Sequence, residues 1–319
     1  MRALVTGSAG FIGSNLAERL AAAGWDVVGV DNFSDYYSEK RKRANLAEAG
    51  GGERFEFAEV DLRSTRLEEL LDGVDVVFHL AAQPGVRRSW EAFDSYSENN
   101  ISVTNRLLLA ARGNGLRRFV YASSSSVYGA ASSYPTAENT TPKPHSPYGV
   151  TKLAGEHLCR VYAESFGIPT VSLRYFTVYG PRQRPDMGIH RLIEAALDDR
   201  PFPLYGDGTQ VRDFTFVGDV VEANLAAATA NVEPGAVFNV AGGSEVSLRE
   251  VIETVEELTR VPIRLDRKGA QPGDVARTGG DTSLAAAQLA WAPKVTLRSG
   301  LHAQISWHRA NRGGGLWAG

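Results

Sequence analysis

The sequence predicts an α/β protein: a doubly wound parallel β-sheet followed by a smaller C-terminal α/β unit. Short apolar segments typical of buried strands alternate with segments of helical spacing along most of the chain. The first strand, Arg2–Thr6, leads directly into a glycine-rich turn and an amphipathic helix. Strand, glycine turn and helix in that order are typical of a nucleotide-binding unit, whose ligands lie at the carboxyl ends of parallel strands.

The composition narrows the class of protein. A chain of 319 residues with 43% hydrophobic and 22% charged residues can bury a sizeable core and form two lobes. A net charge of −3 argues against a nucleic-acid surface. No apolar run approaches the ~18 residues that a membrane helix needs, and no signal peptide precedes the first strand. The single cysteine, Cys159, excludes an internal disulfide and is expected to be a buried thiol. We therefore expect a cytoplasmic protein that binds neither nucleic acid nor membrane.

The first turn carries glycines at a spacing suited to a phosphate group. Gly7, Gly10 and Gly13 follow the pattern GxxGxxG between the first strand and the first helix. Backbone N–H groups and the positive end of the helix bind a pyrophosphate in such a turn. A tight turn that needs glycine for its backbone conformation alone is the alternative.

The second predicted strand, Val27–Val30, ends in an acidic residue. Asp31 comes eighteen residues after Gly13. A carboxylate there accepts both ribose hydroxyls of an adenosine and repels a 2′-phosphate, which favours NAD over NADP. A helix cap or a loop aspartate is the alternative. The basic run Lys40–Arg43 is most simply a solvated helix face, although Lys42 is within reach of the cofactor's ribose.

Later segments complete the predicted sheet and its helices. Gln83 and Ser124 follow strands, as Gly10 and Asp31 do, so all four are expected to converge along one edge. His79, at a strand end, is expected to be a packed core histidine. Further strands are predicted at Phe55–Glu59, Asp75–Leu80, Phe119–Tyr121, Thr170–Tyr175 and Val237–Val240. Further helices are predicted at Tyr96–Ala111, Tyr148–Phe166, Gly218–Ala230 and Ser247–Thr259, the last with Ser247 and Glu250 as a capping box.

The C-terminal half is less regular in sequence. The stretch 176–193 is predicted to be irregular and 204–216 to be turn-like. Small helices are expected from Asp281 onward and a frayed tail at Gly313–Gly319. The predicted nucleotide-binding domain spans residues 1–171 plus about 213–240, and a second domain spans about 172–212 and 241–312.

Arginines concentrate in the irregular stretch. Arg182, Arg184 and Arg191 fall within ten residues that also contain glycine and proline. Guanidinium groups match the geometry of phosphate and carboxylate, so an anion site is one interpretation. A solvated loop is the other.

The segment from Tyr121 to Lys152 contains the candidate catalytic groups. It holds a serine run, a proline-rich loop and then YGVTK, in which Pro147 suits the first turn of a helix. Tyr148 and Lys152 stand four residues apart and share one helix face. An ammonium beside a phenol favours the phenolate, so we expect Tyr148 to act as a base below its free pKa of about 10.

These motifs resemble those of the extended short-chain dehydrogenase/reductases, specifically the NAD-dependent nucleotide-sugar 4-epimerases. The resemblance implies a Rossmann fold with bound NAD and a UDP-sugar-binding C-terminal domain. It also implies a homodimer formed through the helices at Tyr96–Ala111 and Tyr148–Phe166. The segments that carry the resemblance are TGSAGFIGS, VDN, HLAAQ, SENNI, YASSSSVYG, YGVTK, RYFTVYGPRQRPDM, GDGTQVRDFTFVGDVV and QPGDV. Among them, HLAAQPGVR, RPDMGIH and QPGDV, together with DNFSDYYS, are most similar to the UDP-glucuronate 4-epimerases.

The resemblance implies a role for each matching residue, and no metal site. Tyr148, Lys152 and Ser124 match the catalytic group. The implied NAD site comprises Gly7, Gly10, Phe11, Ile12, Gly13, Asp31, Asn32, Lys42, Asp61, Leu62, Leu80, Ala81, Ala82, Gln83, Asn99, Ser123, Tyr148, Lys152, Tyr175 and Val178. The implied substrate site comprises Arg87, Ser124, Ser125, Ser126, Tyr148, Thr177, Arg184, Arg191, Arg212, Asp274 and Arg277.

The serine run separates this chain from two related chemistries. The 4,6-dehydratases of this family carry an Asp-Glu pair after the catalytic Thr, and the UDP-xylose-forming decarboxylases carry a Glu two residues before the tyrosine that matches the second tyrosine of YASSSSVYG. Ser125 and Ser126 stand there instead, and neither serves as a carboxylic acid or base. The activity that the resemblance implies is inversion at C4 of UDP-glucuronate, with Arg184, helped by Thr177 and the serine hydroxyls, as the candidate for holding the sugar carboxylate. The alternatives are a UDP-glucose/UDP-galactose 4-epimerase, a UDP-glucuronate decarboxylase and a non-catalytic NAD-binding scaffold. For Arg184 itself, the alternative is a charged side chain on a surface loop.

Overall fold

The computed structural model describes residues 1–49, 53–269 and 275–312. The predicted substrate residue Asp274 and the predicted tail Gly313–Gly319 lie outside these ranges. None of the helices in the described ranges combines the length and the apolar character needed to cross a bilayer.

The described strands form one large sheet and two small ones. Their bounds are β1 Arg2–Thr6, β2 Asp26–Asp31, β3 Phe55–Glu59, β4 Val76–His79, β5 Arg118–Ser124, β6 Thr170–Tyr175, β7 Thr177–Tyr179, β8 Phe202–Tyr205, β9 Val211–Phe216, β10 Ala236–Val240, β11 Glu245–Ser247 and β12 Leu265–Lys268.

The helices alternate with these strands in the N-terminal half, as the sequence predicts. Their bounds are α1 Phe11–Ala22, α2 Glu39–Ala49, α3 Leu67–Leu70, α4 Phe93–Ser97, α5 Val103–Ala110, α6 Pro147–Phe166, α7 Gly188–Leu197, α8 Val217–Thr229, α9 Leu248–Thr259, α10 Ser283–Leu289 and α11 Leu297–Asn311. The π-helical segment Glu98–Ser102 joins α4 to α5.

The large sheet has seven strands in the order β10-β6-β5-β4-β1-β2-β3, and every neighbouring pair is parallel. The predicted doubly wound parallel sheet is therefore confirmed. The strand order reverses between β1 and β4, where Thr6 is paired with His79. In such a sheet the crevice for a ligand opens outside the carboxyl ends of the strands at this switch point.

The strands of the large sheet are apolar because helices cover both faces. On one face, Leu16 and Leu20 of α1 share a buried cluster with Val220 of α8. On the other face, Leu107 of α5 shares a second cluster with Cys159 of α6. Burial on both faces is what allows a parallel sheet to be nearly continuously hydrophobic. Cys159 is buried as expected, and burial raises the pKa of its thiol.

Two predictions for the C-terminal half are wrong. The stretch 176–193 contains β7 and the start of α7, and 204–216 contains the end of β8 and all of β9. Both stretches become regular through distant partners. β9 pairs with β7 and with β11, and α7 buries Leu192 and Ile193 in a core shared with α9 and α11. The last helix, α11, is also longer than the small helices expected there.

Candidate active site

The glycine turn after β1 lies against the end of β4. Gly7 has φ +71°, and a Cβ there would come within 2.9 Å of the Ala81 backbone nitrogen. A Cβ on Gly13 would come within 2.1 Å of the Gly7 carbonyl oxygen. Gly10 caps α1 without a side chain, so the first N–H groups of the helix stay available to an anion. The glycines are needed for close backbone contacts, and they also leave the turn open to a diphosphate.

A cavity follows the carboxyl edge of the sheet from this turn to α6. The structure brings nearly all of the predicted cofactor residues to its wall. Val178 is the exception, since its side chain is packed in the buried core that also includes α1 and α8. The predicted residues that line the cavity are Gly7, Gly10, Phe11, Ile12, Gly13, Asp31, Asn32, Lys42, Asp61, Leu62, Leu80, Ala81, Ala82, Gln83, Asn99, Ser123, Tyr148, Lys152, Tyr175 and Arg184.

Asp31 and Lys42 lie together in this wall. Asp31 accepts hydrogen bonds from the backbone of Phe33 at 2.8 Å and of Ala9 at 3.3 Å. Burial raises the pKa of its carboxyl group, and the charge of Lys42 opposes that shift. Lys42 donates to the Ser34 carbonyl oxygen at 2.7 Å. These contacts fix an acceptor and a cation at the point where a ribose is expected.

The basic run on α2 is only in part the solvated face that was predicted, since Lys40 and Arg43 are exposed. Both Arg41 and Lys42 are buried. Arg41 Nη2 lies 3.6 Å from Glu194 of α7, so the side chain of Arg41 contacts a distant element. The sequence of the run does not show this packing, since α7 is far away in the chain.

The loop after β4 is held by a side chain that the sequence prediction did not assign a role. Asn100, in the π-helical segment, accepts a hydrogen bond from the Gln83 backbone at 2.7 Å and donates to its carbonyl oxygen at 3.1 Å. Asn100 also donates to Thr151 of α6 at 3.0 Å. It thereby fixes the cofactor loop relative to the helix that carries Tyr148. His79 below it is buried between Thr6 and Thr104, at 2.8 and 3.0 Å, and so is the core histidine that was predicted.

The helix that carries the candidate catalytic pair has strong local end signals. The Ser146 hydroxyl accepts from the Gly149 backbone at 3.1 Å, and Pro147 opens the first turn. The helix ends at Gly167 with a left-handed φ of 67°. These are favourable caps for both ends. They set the register in which Tyr148 and Lys152 line the same cavity.

The catalytic candidates lie around the end of β5. The Ser124 hydroxyl, at the end of this strand, donates to the Ser126 hydroxyl at 3.1 Å, and its interaction with Tyr148 is one of the influences that lower the pKa of that phenol. Lys152 Nζ donates to the Ala122 carbonyl oxygen at 2.8 Å. Tyr148 and Lys152 line one cavity at the end of the strand that carries Ser124, a suitable arrangement for moving a proton on or off a carbinol oxygen.

The pKa of Tyr148 departs from our expectation. Burial raises it above the ordinary value, and the charge of Arg184 and the hydrogen bond from Ser124 oppose that effect. Burial also lowers the pKa of Lys152 to about 8. We expected Lys152 to lower the pKa of Tyr148. That prediction is wrong for the protein alone, because desolvation of the phenolate is the larger effect. Arg184, which was not predicted to act on Tyr148, supplies the favourable charge.

The remaining predicted substrate residues in the described ranges are three with hydroxyl groups and four arginines, and none of them lines the cavity. Ser125 and Ser126 follow β5, and Thr177 begins β7; Thr177 and both serines are half-buried. Arg87 stacks on Tyr205 at 4.5 Å.

The other three predicted arginines do not line the cavity that holds Tyr148: Arg191, Arg212 and Arg277. Arg212 and Arg277 lie near each other, since Val211 is bridged to Arg277, and Arg277 forms an ion pair with Glu245. Their assignment to a UDP diphosphate stays a prediction.

The family of the chain follows from comparison with known proteins. Residues 3–241 match the NAD dependent epimerase/dehydratase family. The chain belongs to this family. The resemblance drawn from its motifs is therefore confirmed.

Individual relatives span almost the whole chain. A UDP-glucuronic acid 4-epimerase from Bacillus cereus, solved in complex with UDP-glucuronic acid and NAD, is 43% identical with a TM-score of 0.94, covering 97% of this chain and 99% of that one. An uncharacterized UDP-glucose epimerase of Bacillus subtilis (strain 168) is 43% identical over 309 residues, 96% of this chain and 98% of its own. The UDP-glucuronate 4-epimerase of Thermodesulfobacterium geofontis (strain OPF15) is 36% identical over 315 residues, 97% of this chain and 96% of its own.

In this epimerase/dehydratase chain the cavity wall includes residues that the sequence prediction missed. Tyr36 and Tyr37 are the largest of them, and they come from the DNFSDYYS segment. Two adjacent aromatic residues just after a cofactor-binding strand are a signal that could have identified them. The missed residues are Val30, Ser34, Tyr36, Tyr37, Val60, Arg63, Pro84, Val103 and Ala122.

One cluster of potential metal ligands lies away from the cavity. His190, Glu194 and His308 place a ligand atom each within 4.8 Å of one another. The Arg41 guanidinium lies 3.4 Å from the His190 ring and 3.6 Å from Glu194. Arg41 therefore already supplies a positive charge at this cluster.

Proposed function

We propose that this chain is an NAD-dependent 4-epimerase that interconverts UDP-glucuronate and UDP-galacturonate through a transient 4-keto intermediate. The observation that carries the proposal is that Arg184 lines the same cavity as Tyr148 and Lys152. A cation that pairs with a carboxylate beside a proton-transfer pair fits a sugar acid. The relatives named as UDP-glucuronate 4-epimerases support the same substrate.

The cavity fits NAD by its chemistry. The open turn at Gly7 and Gly13 suits a diphosphate, and Asp31 suits an adenosine ribose. Asp61 and Asn99 line the same end of the cavity. When bound, NAD supplies the acceptor and donor of hydride for C4 of the sugar. Because the same cofactor is regenerated in each turnover, we expect it to stay bound.

The proton is moved by the chain's own residues. Tyr148, as its phenolate, accepts the proton of the 4-hydroxyl while C4 is oxidised, and it returns the proton when C4 is reduced from the opposite face. Ser124 hydrogen-bonds the phenolic oxygen, and the Arg184 charge favours the phenolate. Lys152 is held in place by the Ala122 carbonyl oxygen. Inversion requires the keto sugar to turn about its diphosphate linkage while UDP stays bound.

A hexuronate substrate needs its carboxylate to be held. The 4-keto intermediate is a β-keto acid, which loses carbon dioxide when the C5–C6 bond aligns with the carbonyl π system. Arg184 is our candidate for holding the carboxylate out of that alignment, with help from Thr177 and the serine hydroxyls. Its side chain is only 20% exposed, which does not fit a solvated loop charge. Ser125 and Ser126 offer no carboxyl group for dehydration.

The UDP part is proposed to bind in the smaller C-terminal domain. Arg87, Arg191, Arg212 and Arg277 are the candidate ligands of its phosphates and uridine. Tyr205, against which Arg87 stacks, belongs to β8 of that lobe. We propose the same domain division as the sequence predicts, with the seven-stranded sheet binding NAD.

We further propose a homodimer in the cytoplasm. The exposed large apolar side chains Leu109, Val150, Val161 and Phe166 lie on α5 and α6. Val150 and Val161 are eleven residues apart and so share one face of α6. Light scattering on the purified protein tests this interface: Val161→Glu should lower the mass to that of a monomer if the proposal is correct, whereas a wild-type monomer contradicts it.

Incubation with each sugar nucleotide tests the activity. The purified enzyme is incubated separately with UDP-glucuronate and UDP-glucose, and the products are resolved by chromatography. UDP-galacturonate formed from UDP-glucuronate supports the proposal. Conversion of UDP-glucose alone would assign the neutral-sugar epimerase instead, and a UDP-pentose product would assign a decarboxylase. Product from neither sugar would contradict catalysis of this class and favour the non-catalytic scaffold.

A further inference from the structure

Arg184 is held by a neighbouring acid in the wall of the cavity. Its Nε and Nη2 atoms donate to the two carboxylate oxygens of Asp186 at 3.0 and 3.1 Å. This two-bond contact uses one edge of the planar guanidinium. The second edge, formed by Nη1 and the other N–H of Nη2, is left to present two parallel donors to another carboxylate.

Asp186 is fixed in turn by an aromatic residue from the other lobe. The Tyr36 hydroxyl donates to Asp186 Oδ2 at 3.2 Å, and the Arg184 guanidinium lies 5.8 Å from the Tyr36 ring centroid. The Tyr36 hydroxyl is itself confined, because a Cβ on Gly85 would come within 2.4 Å of it. Tyr36 and Arg184 both line the cavity, whereas Asp186 is not part of its wall.

We propose that Asp186 and Tyr36 are positioning residues that orient Arg184 toward the sugar carboxylate and so set the preference for a hexuronate over a neutral hexose. The inference rests on the proposed function, since it concerns the carboxylate of that substrate. Asp186 carries a negative charge, so its direct effect on an anionic substrate is repulsive. Its benefit is geometric: a guanidinium held at one edge loses less freedom when its other edge binds.

The effect of Asp186 on the orientation of Arg184 can be separated from the effect of its charge on the substrate. Replacing Asp186 by Asn removes the repulsion, and electrostatics alone would then lower KM for UDP-glucuronate. Loss of orientation instead lowers kcat and lets the C5–C6 bond of the keto intermediate align with its carbonyl group. That bond then breaks, its electron pair forms the C4–C5 enolate, carbon dioxide leaves, and C5 takes a proton from water. The product is a UDP-4-keto-pentose.

The experiment compares Asp186→Asn, Asp186→Ala and Tyr36→Phe with the wild type. For UDP-glucuronate we expect kcat to fall about tenfold or more for the Asp186 variants, with a larger share of carbon dioxide and UDP-4-keto-pentose. Tyr36→Phe should change kcat and the product ratio in the same direction but to a smaller extent, because the aromatic ring remains. Binding of UDP-glucose and of NAD, measured by calorimetry, should stay within about twofold of the wild type.

Asp198→Asn is a matched control. Asp198 also accepts from an arginine two residues away, Arg200, at 2.6 Å. Its side chain is as exposed as that of Asp186, 37% against 38%. This variant should keep the wild-type kcat and product ratio.

The outcomes distinguish the inference from the proposed function. A wild-type enzyme that does not epimerise UDP-glucuronate would overturn both. If the wild type epimerises UDP-glucuronate and the Asp186 variants keep its kcat and product ratio, only the inference is overturned. The same holds if KM alone changes in these variants. Equal losses of UDP-glucuronate turnover and of UDP-glucose and NAD binding would assign Asp186 a structural role and likewise overturn it.

Discussion

Glu156 and Arg174 form an enclosed two-bond ion pair next to the candidate catalytic residues of α6. Arg174 Nε and Nη2 donate to the Glu156 oxygens at 2.9 and 2.7 Å, and both side chains are only 5% exposed. Glu156 lies one helical turn after Lys152 on α6, and it also accepts from the Ser123 hydroxyl at the cavity wall. Glu156 therefore connects α6 to β5, through Ser123, and to β6, through Arg174, one helical turn beyond Lys152.

Breaking this ion pair should destabilise the fold. Glu156→Gln leaves the buried charge of Arg174 without its counter-ion, for which the usual cost is about 3–5 kcal/mol of unfolding free energy. Denaturant unfolding of the two proteins measures the difference. The double variant Glu156→Gln with Arg174→Met should recover part of the loss, because no buried charge is then unmatched. Equal stability of wild type and Glu156→Gln would show that the pair contributes nothing.

Removing the hydroxyl group of Tyr148 should greatly lower turnover while NAD and UDP still bind. Tyr148→Phe is expected to lower kcat at least ~10²-fold, the usual contribution of a positioned general base. The ring still fills its place against Tyr96, where the ring centroids are 6.3 Å apart, so binding of NAD and UDP by calorimetry should persist. Turnover that survives this substitution would remove Tyr148 from its assigned role.

The cofactor preference should depend on Asp31. Asp31→Ser removes the ribose acceptor and the negative charge that repels a 2′-phosphate. We expect weaker NAD binding and a smaller difference between NAD and NADP, with Lys42 left nearby as a cation. Calorimetric titration of both dinucleotides gives the ratio. An unchanged ratio would place the adenosine ribose elsewhere.

The features that the sequence predicts correctly have local signals. The start of α6 at Pro147, the Tyr148–Lys152 spacing and the glycine turn are each contained in a few consecutive residues. Features that depend on distant partners were missed. Tyr36 is bonded to Asp186, 150 residues later in the chain. Arg41 is buried and lies beside Glu194 of α7, although its segment has the sequence of a charged surface helix.

Electrostatic predictions from sequence failed for the same reason. Spacing on α6 places Lys152 near Tyr148, but it cannot show how deeply both are buried. Desolvation then raises the pKa of the phenol and lowers that of the ammonium. The opposing charge on Tyr148 comes from Arg184, which lies outside α6 and follows β7.

Stability should fall as the pH is lowered, partly through His308. This side chain is buried against the His190 ring, 4.5 Å away between centroids. Burial and the charges of His190 and Arg41 lower its pKa from 6.5 to about 3, although Glu194 opposes them. Below about pH 6.5 the unfolded chain takes up a proton here that the folded protein does not, so stability is lost between the two pKa values. The expected loss is about 2 kcal/mol on going from about pH 7 to about pH 5.

Unfolding of wild type and His308→Gln in denaturant across that pH range measures the contribution. His308→Gln replaces the titrating ring by an amide that does not titrate, so its stability should fall less steeply with acid than that of the wild type. His79, also buried with a pKa of about 3, keeps its contribution in both proteins and supplies part of the remaining slope. Parallel pH profiles for the two proteins would show that His308 takes up its proton as easily in the folded state as in the unfolded chain.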